Sequence, residues 1–373
     1  MDRARRDIRA LSLEELRRFF TSNAVPAFKG NQVYEWLWSK GSHDFEGMTN
    51  LSKSHRSLLE EHFVINHIEV DHLQRSNDGT VKNAIRLHDG FLVESVLIPT
   101  DSRATACVSS QVGCSLDCHF CATSKLKRMR NLNPDEIYDQ VIVIDRQSRL
   151  YYNRGLTNIV FMGMGEPLMN YKNTLLAIQK ITSPDGLGMS PKRITVSTSG
   201  ITKIIREMAD QNPKFKLAVS LHSAIEETRN RLMPFTKKFP LSELLEALKY
   251  WYDQTKSKIT FEVVVWQGIN DKQEDIDALV AYCKQVPSKV NLIEYNAIGE
   301  IKLARGSDFE FTLDPATYEQ AREGEARGFR LAELRWRGLG NKSQPSIEAI
   351  MHRPLGNIHP TPCECHNKTG LLP

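Results

Sequence analysis

Along the first sixty-odd residues apolar side chains recur three or four positions apart, in Leu11–Phe20, in Gln32–Trp38 and again in Lys53–Phe63. One apolar stripe per helical turn predicts three amphipathic helices. Between 67 and 98 the period shortens to two. The runs at 67–74, 81–88 and 91–98 are broken by Asn77-Asp78-Gly79 and Asp89-Gly90, which predicts strands joined by hairpin turns. This stretch reads as a small sheet joining two domains.

From Ala104 onward apolar runs alternate with amphipathic stretches of helical length. Candidate strands cover 104–110, 158–164, 193–199, 216–222, 259–266 and 289–295. Asn133, Pro134 and Glu136 mark a helix start: a capping side chain, a proline where no backbone donor is needed, and an acid in the first turn. Six strand–helix units in succession imply parallel strands with right-handed crossovers. The expected class is α/β, a full or partial (β/α)6 barrel with a small N-terminal helical domain and a short β-hairpin linker. The boundaries read as 1–66, 67–103 and 104–329. Residues 330–373 show no clear period, are rich in Pro, His and Asn, and read as a poorly ordered tail. Barrels of this kind collect their chemistry at the C-terminal ends of the strands.

Composition narrows the setting without choosing a function. The chain has 373 residues, 40% hydrophobic and 25% charged, as in ordinary globular proteins. No run approaches the ~18–20 apolar residues of a membrane helix, and the charged N-terminus has no secretory core, so a cytoplasmic location is expected. A net charge of +4 permits a nucleic-acid partner without demanding one. Nothing in the chain suggests more than a monomer. There are 7 cysteines, four of them within Cys107–Cys121. An odd, clustered set points to metal or redox chemistry in a reducing compartment rather than to a disulfide framework.

Cys114, Cys118 and Cys121 are spaced C-x3-C-x2-C on a loop just after the first barrel strand. Three thiolates can hold three corners of a [4Fe–4S] cube and leave the fourth iron open to a chelating substrate. A zinc knuckle would need a fourth ligand, and His119 inside the loop is awkwardly placed for it. The segment resembles the radical S-adenosylmethionine superfamily. The resemblance implies that the methionine end of S-adenosylmethionine chelates the open iron and that one electron yields a 5′-deoxyadenosyl radical. Behind the second strand, Gly163-Met164-Gly165-Glu166-Pro167 gives a close backbone approach and a carboxylate suited to an ammonium group. Ser197-Thr198-Ser199-Gly200, Ser220-Leu221-His222 and Asn296 put polar groups at further strand ends. Any one of them alone would pass as a helix cap or a turn.

The blocks Leu92–Pro99, Cys107–Cys114, Met162–Asn170, Ile194–Gly200, Ala218–Ala224 and Leu232–Leu241, in this order, are similar to the RlmN/Cfr-type RNA adenine methyltransferases over about residues 10–329. That likeness implies methylation of adenine carbon 2 in 23S ribosomal RNA and transfer RNA, with carbon 8 as the alternative of a close relative. It implies two S-adenosylmethionine molecules, a methyl-cysteine intermediate and a flavodoxin- or ferredoxin-type reductant. By motif, Cys114, Cys118 and Cys121 would ligate the cluster. Gly165, Glu166, Ser197, Ser220, Leu221, His222 and Asn296 would contact S-adenosylmethionine. Glu94 would be a proton acceptor, and Cys107 would pair transiently with the methyl-carrying cysteine. From the residues alone, the favoured reading of Cys107 is a buried strand cysteine.

RNA contact is suggested by basic and aromatic groups interleaved on the second helix (Lys29, Gln32, Tyr34, Trp36, Trp38, Lys40) and by Lys125, Lys127, Arg128 and Arg130 after the cluster loop. Two tryptophans two apart on a helix are more often core than stacking platform, and the charged run also reads as a solvated face. The C-terminus departs from the family pattern, which ends Arg-Gly-x-Asp-Ile-x-Ala-Ala-Cys-Gly-Gln-Leu with the methyl carrier as its cysteine. Here Arg337-Gly338-Leu339-Gly340-Asn341 is followed by Ser346-Ile347-Glu348-Ala349-Ile350-Met351, without a cysteine. Cys363 and Cys365 lack the expected neighbours. So abrupt a loss of pattern suggests a frameshift, which reading the coding DNA in the other two frames tests. An RNA- and cluster-binding pseudoenzyme is the alternative reading.

Overall fold

The computed structural model describes residues 5–295; Asn296 and the C-terminal tail lie outside them. The N-terminal pattern is realised as α1 (Leu13–Ser22), α2 (Phe28–Trp38) and α3 (Lys53–His62). Helix α1 begins at a capping box. Ser12 accepts from the Glu15 N–H at 3.2 Å, and the Glu15 carboxylate accepts from the Ser12 N–H at 2.7 Å.

One nine-stranded sheet follows, and every strand in it lies beside its neighbours in sequence. Strands β1 (Glu69–Arg75), β2 (Val81–Arg86), β3 (Leu92–Pro99) and β4 (Ala104–Cys107) are antiparallel to one another. Parallel pairing then runs from β4 through β5 (Asn158–Phe161), β6 (Ile194–Thr198), β7 (Lys216–Ser220) and β8 (Ile259–Val265) to β9 (Ser288–Glu294). The crossovers carry α4 (Pro134–Tyr152), α5 (Tyr171–Thr182), α6 (Thr202–Asp210), α7 (Glu226–Leu232) with α8 (Leu241–Thr255), and α9 (Gln273–Cys283). The hairpin strands therefore do not stand as a sheet of their own. They extend the barrel sheet past β4, whose outer edge would otherwise leave backbone groups unpaired. Their turns need left-handed backbone, and Gly79 (φ 85°) and Gly90 (φ 82°) supply it.

Alternation along the strands sets two faces. Ile259, Phe261 and Val263 of β8, and Val93 and Leu97 of β3, face the helices and join the main core. The opposite face belongs to the barrel interior. There Val96, Cys107 and Val160 form one small apolar cluster, and Phe120, Leu232, Met233, Val264 and Ile293 form another.

The helical domain docks on α4 through a buried guanidinium. Arg9 Nη1 donates to both oxygens of Asp139 at 2.8 and 2.7 Å, and Nη2 reaches Asp135 at 3.2 Å. Burial pushes both carboxyls above the ordinary range, Asp135 to about 7. A carboxyl raised in the folded state keeps a proton that the unfolded chain has already released. Its contribution is full below the unfolded value of ~4 and is lost as pH rises through ~7. Asp135→Asn should therefore flatten the fall in stability between about pH 5 and 8, read by urea unfolding at each pH.

The aromatic residues of α2 divide by face. Trp38 is 2% exposed, packs edge-on against Tyr138 at 5.4 Å, and lies with Tyr34 under the Lys180 ammonium. Trp38 and Tyr34 thus fasten the two units together and offer no stacking platform. Helical spacing puts residues 34 and 38 on the inner stripe. Trp36 lies off that stripe, half-buried against the core, with Lys40 4.1 Å from its ring and its Nε1 donating to Asn50 Oδ1 at 2.7 Å.

Candidate active site at the open end of the barrel

The cysteine loop leaves β4 and is closed at its base by a two-residue ladder, Gln111–Val112 with Arg130–Asn131. Gly113 (φ 71°) enters it with no room for a side chain, since an added Cβ would lie 2.3 Å from the Lys127 carbonyl. Backbone bonds shape the rest: Cys114 N–H to Leu126 O at 3.2 Å and His119 N–H to Leu232 O at 2.9 Å. Ser124 Oγ donates to the carbonyls of Cys118 and Cys121 at 2.6 and 2.7 Å.

Cys114 is buried, and Cys118 and Cys121 are half-buried against Phe120, Leu232, Met233 and Val264. Among the described residues no three His, Cys, Asp or Glu side chains close around a single ion. A cube, with its irons at separate corners, spreads three thiolates further apart than one ion does. His119 is exposed, whereas the three cysteines are buried or half-buried. Burial raises the Cys114 thiol, so the thiolate is disfavoured there until a cation binds and displaces the proton.

Glu166, at the end of β5, is 3% exposed. Its carboxylate accepts from Ser199 N–H at 2.7 Å and Leu168 N–H at 3.0 Å, and its own N–H donates to Gln111 Oε1 at 2.9 Å. No cation pairs with it among the described residues, and burial pushes its carboxyl up despite these donors. A buried carboxylate held by neutral donors suits an incoming ammonium group. Gly165 (φ 96°) makes the turn possible, because a Cβ there would sit 2.5 Å from Gln111 Cβ. Gly165→Ala should therefore weaken S-adenosylmethionine binding by at least about tenfold, measured by calorimetry on the reconstituted protein.

His222 follows Ser220 and Leu221 at the end of β7 and is wholly buried with φ 56°. Its Nδ1 accepts from Val264 N–H at 3.0 Å, which assigns the proton to Nε2. Burial, reinforced by Arg229, depresses its pKa to about 3, so the ring is neutral. Among the described residues Nε2 has no partner, and the ring lies edge-on to Phe120 at 4.2 Å, beside the cysteine loop. Ser197, at the end of β6, is buried, and Ser220 lies on the same interior face. Asn296 lies outside the described residues.

Glu94 and Cys107 come from antiparallel neighbours β3 and β4. Val96 stands opposite Cys107, so Glu94 lies one interior-facing position further on. Cys107 is fully buried among Val96 and Val160. Glu94 pairs with Lys82 Nζ at 2.8 Å and its N–H points to Met164 Sδ at 3.3 Å. Of the basic residues after the loop, Lys125, Lys127 and Arg128 are exposed. Arg130 is engaged by Glu136 and Asp89, which removes it from the surface set.

Two residues of this end escaped the motif reading. Arg229, fully buried, donates to Ser199 O at 2.7 Å, and burial lowers its pKa to about 10. Glu262 is a buried acid in the apolar strand β8. Its signal was a lone charge inside Ile259–Val265.

An open α/β barrel with three cysteines on its first loop and a buried carboxylate beside them defines a radical S-adenosylmethionine enzyme. Residues 108–280 match the Radical SAM superfamily, and residues 6–65 match the ribosomal RNA large subunit methyltransferase N-terminal domain. The chain belongs to the RlmN family of radical S-adenosylmethionine RNA methyltransferases, whose cofactors are a [4Fe–4S] cluster and S-adenosylmethionine.

It is 70% identical over 303 residues, 81% of this chain and 87% of the relative, to a probable dual-specificity RNA methyltransferase RlmN of Flavobacterium psychrophilum. A protein of the same description from Chloroherpeton thalassium is 41% identical over 362 residues, 94% and 96% of the two chains. The crystal structure of a radical SAM methyltransferase from Sphaerobacter thermophilus superposes with a TM-score of 0.73 at 32% identity, covering 87% of this chain and 93% of that one. No helix among the described residues is long and apolar enough to cross a membrane.

Proposed function

We propose that this protein methylates carbon 2 of adenine in 23S ribosomal RNA and transfer RNA, in the cytoplasm and as a monomer, with electrons from a flavodoxin- or ferredoxin-type donor. The reading rests above all on Glu166, a buried carboxylate without a cation at the mouth of a barrel whose cysteine loop stands beside it. Cys114, Cys118 and Cys121 hold the cluster. Glu166 and the Gly165 turn receive the amino acid end of S-adenosylmethionine, while Ser197, Ser220, Leu221, His222 and Asn296 line its remainder. When bound, the cluster and S-adenosylmethionine supply one-electron chemistry suited to an adenine carbon too electron-poor for simple methyl transfer.

The protein's own residues then manage protons and exclude water. Glu94 faces the same interior side as Cys107 and is held by Lys82. Its carboxylate serves as proton acceptor, and the buried Cys107 thiol serves product release. The two-S-adenosylmethionine, methyl-cysteine route needs a carrier cysteine. Cys363 and Cys365 lie outside the described residues, and neither has the family's flanking pattern.

The test is an anaerobic reaction of reconstituted protein with reductant, S-adenosylmethionine and ribosomal RNA lacking the modification, followed by mass spectrometry. 2-Methyladenosine supports the proposal and 8-methyladenosine redirects it to the other ring carbon. 5′-Deoxyadenosine without a methylated base favours the pseudoenzyme. Cys107→Ala should trap a covalent protein–RNA adduct in the active case, visible as a shifted band in a denaturing gel.

A further inference from the structure

The N-terminal ends of the barrel strands carry a set of cations that the methylation chemistry leaves unused. Arg103 immediately precedes β4 and Arg193 immediately precedes β6, while Lys216 opens β7 and Lys289 lies at the start of β9. Leu217 and Val219 join the main core and Val290 packs against it, so alternation turns Lys216 and Lys289 toward the barrel interior. All four residues are exposed, and among the described residues no carboxylate pairs with any of them.

The four stand close enough to act on one another. Burial lowers the Lys216 pKa, and the charges of Lys289, Arg193 and Arg103 lower it further, with no acid among the described residues acting the other way. Like charges gathered without counter-charges cost the fold stability, and ordinary surfaces intersperse the two signs. The next layer of the barrel is polar as well. Thr105, Thr195 and Thr260 occupy interior-facing positions and are half-buried, with Thr195 opposite Lys216 and Thr260 opposite Lys289. Apolar side chains ordinarily fill a barrel at this level. Cations backed by hydroxyls suit phosphate oxygens.

Position separates this face from the site already described. Lys216 and Ser220 are the two ends of β7, about 13 Å apart along the strand. The cysteine loop leaves the other end of the barrel, so an acidic electron carrier docked here would lie on the wrong side of the cluster. A folded RNA is larger than that depth and carries phosphates on every side. We infer that Arg103, Arg193, Lys216 and Lys289 form a second RNA contact, which takes backbone phosphates of the substrate remote from the target adenine. The inference rests on the RNA methyltransferase reading above and adds a surface to it.

The experiment measures the affinity of the cluster-reconstituted protein for unmodified transfer RNA across a range of salt, by filter binding. Lys216→Gln combined with Lys289→Gln removes two charges from exposed positions and relieves their repulsion, so its urea midpoint should be no lower than that of wild type. Near physiological salt it should bind the RNA about 10–30-fold more weakly, and the slope of log affinity against log salt should shrink by about 1.5–2. Lys203→Gln combined with Lys284→Gln, exposed on α6 and just after α9, removes the same charge and should change affinity by less than about threefold. Equal losses in the two double variants overturn the inference, because net charge alone would then be acting. So does a Lys216→Gln, Lys289→Gln protein that matches wild type in affinity and slope. If that protein keeps its RNA affinity but is reduced more slowly by an acidic electron carrier, the face belongs to the reductant and the inference falls. A wild type that binds no RNA removes the RNA reading itself, and this inference with it.

Discussion

Cys118→Ala is expected to fold normally and to lose its iron–sulfur chromophore and all 5′-deoxyadenosine formation. The side chain is half-buried on a loop whose shape comes from backbone bonds and from Ser124, so its removal should change stability by no more than about 1 kcal/mol. The chemical loss is of another order. Altering partners around a metal site costs about 10–100-fold, and deleting a ligand from a three-thiolate set should exceed that. Iron and sulfide analysis, the paramagnetic resonance of the reduced protein and product mass spectrometry measure the effect. Cys283→Ala is the control. Cys283 ends α9 against the main core, whereas Cys118 and Cys121 pack in a separate apolar cluster. Equal iron in Cys118→Ala and wild type would remove the cluster assignment.

Arg9→Leu is expected to destabilise the protein by about 3–5 kcal/mol, because it strands two buried carboxylates. Asp139 loses both of its hydrogen bonds to the guanidinium and Asp135 loses its cation. The loss should shrink at acid pH, where the orphaned carboxyls take up protons, and grow toward pH 8. The triple variant Arg9→Leu with Asp135→Asn and Asp139→Asn should recover most of the loss, since no charge is then left in the interface. Urea unfolding of the three proteins at two pH values decides it. An Arg9→Leu protein as stable as wild type would mean that Trp38, Tyr34 and Lys180 alone hold the helical domain in place.

Much of this was legible in the chain. The barrel strands begin within a residue of the predicted positions, because β-branched runs facing two apolar layers leave little freedom. Their ends were harder to read. The run 104–110 is ladder only to Cys107 and 158–164 only to Phe161, since the following residues bend into the turns that build the site. Helix α4 starts at Pro134 as its cap demands, and Asn133 N–H donates to Glu136 at 2.8 Å. What failed were assignments that needed a direction in space. Periodicity could say that Trp36 and Trp38 lie on different sides of a helix, but not which side the barrel would cover.

The sequence by itself determined the kind of chemistry and the order of the strands. Cysteine spacing limits the metal group, and unbroken strand–helix alternation permits a single winding sense. Tertiary structure decided which charges are used up and which are held in reserve. Arg130 and Arg9 are consumed by the distant carboxylates of Asp89 and Asp139, while among the described residues His222 keeps an unpaired Nε2 donor beside the cysteine loop. The reason is that burial and pairing depend on what the other strands bring alongside, and no local pattern carries that information.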